Sequence, residues 1–253
     1  GVAAGCISSQ IGCAMGCDFC ASTKAGLERN LEAWEIVEQF LHLKRESEAV
    51  GRKLKTIVFM GMGEPLLNLD EVIPAIWRIA DPDMGAVGWR QVTVSTVGIV
   101  PGITRLAEAD LNVHLALSLH APDDATRTML VPSNRRYAVA EIMAAAKAFH
   151  ERTGRIVTIE YCALAGVNDS DEQAIQLADL LRDFRAHVNV IPYNAIGVGM
   201  SGRSYQRPAR ERIARFLGIL RERRVVAHVR DTRGDDVAAA CGQLRAQLVQ
   251  VGA

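Results

Sequence analysis

Short apolar runs rich in β-branched residues alternate along the chain with longer stretches whose apolar residues recur every three to four positions. The first pattern marks buried strands and the second amphipathic helices. Residues 4–10, ending in Ser8-Ser9-Gln10, predict a first strand. Leu31 to Lys44 sets Ile36, Val37, Phe40, Leu41 and Leu43 at helical spacing, with Asn30 placed to cap the helix. Thr56-Ile-Val-Phe-Met60 predicts a buried strand closed by the tight loop Gly61-Met-Gly-Glu-Pro65. The rhythm repeats with a helix over 69–80, strand 91–95, helix 103–109, strand 113–119, helix 139–152, strand 156–162, helix 170–184, strand 187–191 and a last helix over 208–223.

Six apolar strands alternating with helices over short connections imply a parallel sheet with right-handed crossovers. Six units suit an α/β fold of the partial (β/α)6 TIM-like barrel type, open on one flank, with a C-terminal extension. At 253 residues the whole chain, 1–253, fits one such domain. In barrels the loops after the strands' C-terminal ends carry the site. Here strand one leads into residues 13–20, strand two into Gly61-Met-Gly-Glu64, strand three into Ser95-Thr96, strand four into Ser118-Leu-His120, and strand six into Pro192-Tyr-Asn194. A doubly wound sheet would also place function at strand ends, but it gives no reason for so many separate loops to hold polar groups.

Composition narrows the class. Lys plus Arg and Asp plus Glu are 29 each, so a nucleic-acid or membrane surface, if there is one, must be local. Six cysteines without a signal peptide or an apolar run of bilayer length point to a reducing cytoplasmic setting. The chain opens Gly1-Val-Ala-Ala without an initiator methionine, so an N-terminal portion is expected outside it. Between Arg203 and Arg233, ten arginines face only Glu211, Glu222 and Asp231. A helix there brings Arg212 and Arg215 together at i, i+3. The run reads as a solvated helix face or as a phosphate-contacting surface that Arg127, Arg135 and Arg136 extend.

The chemistry is expected at Cys13-Ala-Met-Gly-Cys17-Asp-Phe-Cys20. Three cysteines fall one short of a structural zinc site and of the usual four-cysteine iron–sulfur cluster. A cluster held this way keeps one iron free to bind the amino and carboxylate groups of S-adenosylmethionine. A zinc site completed by Cys162, Cys241 or a histidine stays open as the rival, while Gly12 and Gly16 favour a tight loop around either centre. Glu64 reads as a surface acid in a turn or, beside a cluster, as a partner for an ammonium group. Ser95, Ser118, His120 and Asn194 suit ribose, carboxylate or adenine contacts, with a satisfied core histidine as the other reading of His120. Cys162 reads as a small buried hydrophobe. Cys241 has alanines before it and a glycine after it, clearance a structural cysteine does not need, and Cys6 leads into the cluster loop, so both thiols suit one substrate.

Taken in order, the cysteine loop, Gly61-Met-Gly-Glu-Pro-Leu-Leu-Asn68, Ser95-Thr-Val-Gly-Ile-Val-Pro101, Ser118-Leu-His-Ala-Pro122, Gly166-Val-Asn-Asp-Ser170 and Arg233-Gly-Asp-Asp236 through Cys241-Gly-Gln-Leu244 resemble the RlmN/Cfr family of radical S-adenosylmethionine RNA methyltransferases over nearly the whole chain. Arg233-Gly-Asp-Asp236 is similar to the adenine-C2 branch rather than the C8 branch. The resemblance implies a [4Fe-4S] cluster on Cys13, Cys17 and Cys20, and S-adenosylmethionine held by Gly63, Glu64, Ser95, Ser118, Leu119, His120 and Asn194. It further implies that Cys241 is methylated by one S-adenosylmethionine and that a second yields a 5′-deoxyadenosyl radical, which takes hydrogen from the S-methyl group. Cys6 then assists proton removal and releases the product through a transient disulfide with Cys241. The implied partners are 23S rRNA, tRNA and an external one-electron donor such as flavodoxin, with a monomer and no membrane. The family's N-terminal RNA-binding extension has no counterpart in this chain, and Ala21-Ser-Thr23 departs from its usual threonine-glycine pair.

Overall fold

The computed structural model describes residues 1–85, 87–230 and 243. The chain runs through β1 (Val2–Cys6), β2 (Gln10–Gly12), β3 (Leu27–Asn30), α1 (Ala33–Ala49), β4 (Lys53–Phe59), α2 (Leu69–Ala80), β5 (Val92–Thr96), α3 (Val100–Glu108), β6 (His114–Ser118), α4 (Asp124–Leu130), α5 (Val139–Thr153), β7 (Val157–Ala163), α6 (Asp171–Leu180), β8 (Ala186–Pro192), α7 (Arg210–Glu222) and β9 (Val226–Val229). Among the described residues the main sheet has seven strands in the order β1-β4-β5-β6-β7-β8-β9, every neighbouring pair parallel. Strand order follows chain order without a reversal. Right-handed crossovers then send every helix to the same side, which curls the sheet into a half-barrel and excludes the doubly wound alternative. Arg230, just after β9, reaches Met60, just after β4, with Nη1 3.2 Å from Sδ. Four strands separate β4 from β9 in the sheet, so curvature is what brings these residues together.

The strands fold as their pattern requires. On β5, Val92 and Val94 are buried toward the helices while Thr93 and Ser95 are half-buried on the other face. α2 buries Leu69, Val72, Ala75, Ile76, Ile79 and Ala80, one continuous face. Leu69, Val72, Ala75, Ile76 and Ile79 share a core with Phe40, Ile57, Leu115, Leu117, Ile159, Val188 and Phe216. Each large apolar side chain withdrawn from water contributes about 1.5–3 kcal/mol. The strand-closing loops all emerge at the opposite end from the helix-to-strand turns, so their polar groups share one mouth.

Several predicted elements differ from those found. The first strand stops at Cys6, and Gln10 belongs to a separate antiparallel hairpin of β2 with β3. Asn30 lies in that hairpin and accepts from Gln10 Nε2 at 2.7 Å. α1 therefore starts later, with the Glu32 N–H donating to Glu35 Oε2 at 2.9 Å. Among the described residues the sheet has seven main strands rather than six, because β9 adds in parallel to β8. Its four residues, Val226-Ala-His-Val229, lie inside the arginine-rich run, too short for periodicity to separate. α4 was not predicted, since only three of its seven residues, Ala125, Met129 and Leu130, are apolar.

Candidate active site

Residues 13–20 form a tight loop above the sheet. Gly12 and Gly16 have φ of 77° and 71°, the left-handed region that glycine enters without strain. The loop is tied on both sides: the Cys13 N–H donates to Gly26 O at 3.0 Å and the Asp18 N–H to Leu130 O at 2.9 Å. Asp18, buried within the loop, accepts from the Ser201 N–H at 2.7 Å and from the Tyr205 hydroxyl at 2.5 Å. Burial works against its charge, and these bonds more than offset that, holding the carboxyl below its usual range. The segment after β8 thus straps the cysteine loop from outside.

Cys13, Cys17 and Cys20 line a cavity of about 970 Å³, counted out to its open mouth. Burial pushes Cys13 up to about 11; burial first, then the neighbouring thiols, raise Cys17; burial raises Cys20. The protein alone does not ionise these thiols, whereas a multiply charged metal centre does. A single tetrahedral ion needs its ligands about 2 Å from one point, and among the described residues no such group of three metal-binding side chains exists. A cube-shaped cluster instead takes each thiolate on a different iron. Three thiols lining one cavity fit that demand, and the fully protein-ligated zinc site is not assembled among the described residues.

Groups from the ends of β4, β5, β6 and β8 line the same cavity. Gly63, with φ of 98°, brings its backbone so close to Gln10 that an added Cβ would lie 2.5 Å from the Gln10 Cβ. Glu64 is buried; its Oε1 accepts from the Leu66 N–H at 3.1 Å and its Oε2 from the Val97 N–H at 2.8 Å. Burial raises its pKa to about 7 against those bonds. Ser95 Oγ and Ser118 Oγ are 3.4 Å apart. His120 takes a left-handed φ of 62°, and its Nδ1 accepts from the Cys162 N–H at 3.0 Å. Burial, then the charge of Arg127, lowers its pKa to about 3, so the ring is neutral with Nε2–H as its donor. It packs edge-on to Phe19 at 4.7 Å. His120 is therefore both a satisfied buried histidine and a wall of the cavity. Asn194 also lines it and accepts from Arg207 at 3.4 Å.

Not every expected residue arrives there. Leu119 is fully buried, its N–H donating to Glu160 O and its carbonyl accepting from Arg127, so it does not line the cavity. Cys6 is exposed at the C-terminal end of β1 and does not line the cavity either. Cys241 lies outside the described residues; Gln243, nearby in sequence, donates to Ala195 O at 3.0 Å, next to Asn194. Cys162 is buried as expected and lines the cavity. Arg127 is a correction. It is fully buried and not on a phosphate-contacting surface, with Nε on Leu119 O at 2.9 Å, Nη1 on Asn134 Oδ1 at 2.8 Å and Nη2 on Val97 O at 2.5 Å. It knits together the loops after β5 and β6. Arg212 and Arg215 do come together, and both bind Asp171 on α6.

Sequence reasoning missed Glu160, Arg230 and Met60, which also line the cavity. The available signal was a single acid inside the apolar strand Val157-Thr-Ile-Glu-Tyr-Cys-Ala163.

With this geometry in view, the relatives are informative. The sequence profile of the Radical SAM superfamily matches residues 7–178. A probable dual-specificity RNA methyltransferase RlmN 1 of Opitutus terrae is 59% identical over 245 residues, 97% of this chain and 69% of that protein. A probable dual-specificity RNA methyltransferase RlmN of Symbiobacterium thermophilum is 49% identical over 240 residues, 95% of this chain and 64% of that protein. The crystal structure of a radical SAM methyltransferase from Sphaerobacter thermophilus superposes with a TM-score of 0.91 at 47% identity, covering 95% of this chain and 69% of that one. The chain thus spans roughly two thirds of the length of these relatives. It belongs to the radical SAM superfamily and, within it, to the RlmN family.

Proposed function

We propose that this protein is a radical S-adenosylmethionine methyltransferase that places a methyl group on C2 of an adenine in 23S rRNA and tRNA. The observation that carries the reading is the meeting of the Cys13, Cys17 and Cys20 thiols with Glu64, Ser95, Ser118, His120 and Asn194 around one cavity. When bound, a [4Fe-4S] cluster supplies the electron that cleaves S-adenosylmethionine reductively. The residues of the chain divide the remaining work. Cys13, Cys17 and Cys20 hold the cluster and leave a coordination position for the cosubstrate. Gly63 and Glu64 receive its ammonium group, because the Glu64 carboxylate is a buried acceptor whose ionised form is favoured once a cation sits beside it. Ser95, Ser118, His120 and Asn194 orient its nucleoside and carboxylate through hydroxyl, imidazole N–H and amide groups. Cys241 carries the methyl group, and Cys6 assists proton removal and frees the product by pairing with Cys241. An adenine stacked in a helix must leave the stack to reach a cavity of this depth.

An external one-electron donor such as flavodoxin completes the reading, with the protein acting as a monomer in the cytoplasm. No helix among the described residues is long and apolar enough to cross a membrane. The test is mass spectrometry of RNA incubated with cluster-loaded protein, S-adenosylmethionine and reductant. The expected product is C2-methyladenosine, absent with Cys241→Ala while cleavage of S-adenosylmethionine continues. Methyl at C8, or none on RNA, overturns the assignment.

A further inference from the structure

The interior of the half-barrel carries a polar row that the reading above leaves unused. Ser118 on β6 is in register with Glu160 on β7, which is in register with Asn189 on β8. Register partners on neighbouring strands project to the same face, and Asn189 Nδ2 donates to Glu160 Oε1 at 3.1 Å. Ser118 and Glu160 both line the cavity.

Glu160 is 4% exposed, and among the described residues its Oε2 has no hydrogen-bond partner. Arg230 Nη1 stands 3.7 Å from Oε2, close enough to offset charge but beyond hydrogen-bonding reach, and that same nitrogen is 3.2 Å from Met60 Sδ. A buried carboxylate oxygen without a donor is costly. One that faces a ligand cavity is explained when the ligand brings the donor.

We infer that Glu160 is a ribose-binding residue: Oε2 accepts a hydrogen bond from a hydroxyl of the S-adenosylmethionine ribose, beside Ser118. This inference rests on the reading above that the cavity binds S-adenosylmethionine. Glu64 lies near the thiols and serves the ammonium group. Phe19, Tyr193 and Ile191 give the cavity apolar faces suited to a flat base. The Ser95 and Ser118 hydroxyls and Glu160 form the hydrogen-bonding stretch that a vicinal diol needs, and a carboxylate on a ribose hydroxyl is a recurrent solution in nucleotide sites.

Titration calorimetry of the cluster-loaded protein tests this with S-adenosylmethionine, its 2′-deoxy and 3′-deoxy analogues, and an analogue lacking the adenine amino group. Wild type is expected to bind one deoxy analogue about tenfold or more weakly than S-adenosylmethionine. Glu160→Leu is expected to weaken S-adenosylmethionine by a similar factor and to lose the preference for ribose over deoxyribose. Where a melting curve shows that this variant does not fold, Glu160→Gln preserves shape and one neutral acceptor, and the same loss of preference is expected at a few-fold. Unchanged affinity, or a ribose preference that survives in the variant, overturns the assignment; so does loss of discrimination only against the analogue lacking the amino group. Wild type that binds none of the four ligands contradicts the underlying reading instead.

Discussion

Two regions hold most of the conspicuous polar residues in this sequence, and they behave oppositely. At the strand ends, single polar residues embedded in apolar runs converge: Cys13, Cys17, Glu64, His120 and Glu160 are buried around one cavity. In the run from Arg203 to Arg230, charge is dense but dispersed. Arg212 and Arg215 share Asp171, and Arg221 bonds the carbonyl of Ala227. Charge in quantity is easily solvated or paired. Charge placed singly in a buried environment must be compensated, and that compensation builds a site.

The sharpest way to break this contrast is Cys17→Ala. Loss of one thiol ligand is expected to eliminate bound iron and sulfide, read by metal analysis, and all RNA methylation, read by mass spectrometry. Next comes Arg127→Met, which removes the cation that ties Val97, Leu119 and Asn134. The carbonyls of Val97, Ser118 and Leu119 and the Asn134 Oδ1 all lose a partner, so a loss of about 3 kcal/mol or more is expected in urea unfolding. Arg215→Ala, at the exposed site, is expected to leave the urea midpoint within the scatter of surface substitutions.

The pH dependence sharpens the contrast further. His120 is held to about 3 by burial and the Arg127 charge, against 6.5 for the free side chain. Its contribution to stability is complete above pH 6.5 and is lost as pH falls toward 3, because the unfolded chain takes up the proton first. Glu64 acts in the other direction: its raised pKa of about 7 favours the folded state at low pH, an advantage lost between 4.5 and 7. Urea midpoints of the cluster-free protein across pH 4–7.5 are expected to fall less steeply with acid in His120→Gln and more steeply in Glu64→Gln. Parallel curves for wild type and both variants would contradict these assignments.

Much of the frame was legible in advance. α2 spans Leu69–Ala80 as predicted, because its apolar face is uninterrupted and Gly61 to Pro65 punctuates the chain before it. The cavity was legible through loops that each follow a strand. Glu160 was hidden because a single acid does not disturb the reading of an apolar strand, and only the register with Ser118 and Asn189 gives it a role. Arg127 was misjudged because composition cannot tell a solvated guanidinium from one enclosed by three carbonyls. The β2–β3 hairpin, three residues against four, is too short for any period to register.

The central claim is that Cys13, Cys17 and Cys20 together hold a four-iron cluster with one iron left to the cosubstrate. Iron and sulfide analysis of the anaerobically reconstituted protein, with electron paramagnetic resonance of the reduced form before and after S-adenosylmethionine, tests it directly. The account predicts about four irons and four sulfides per chain and a signal that changes when S-adenosylmethionine is added. A colourless protein carrying zinc, or a cluster whose signal is indifferent to S-adenosylmethionine, would contradict it.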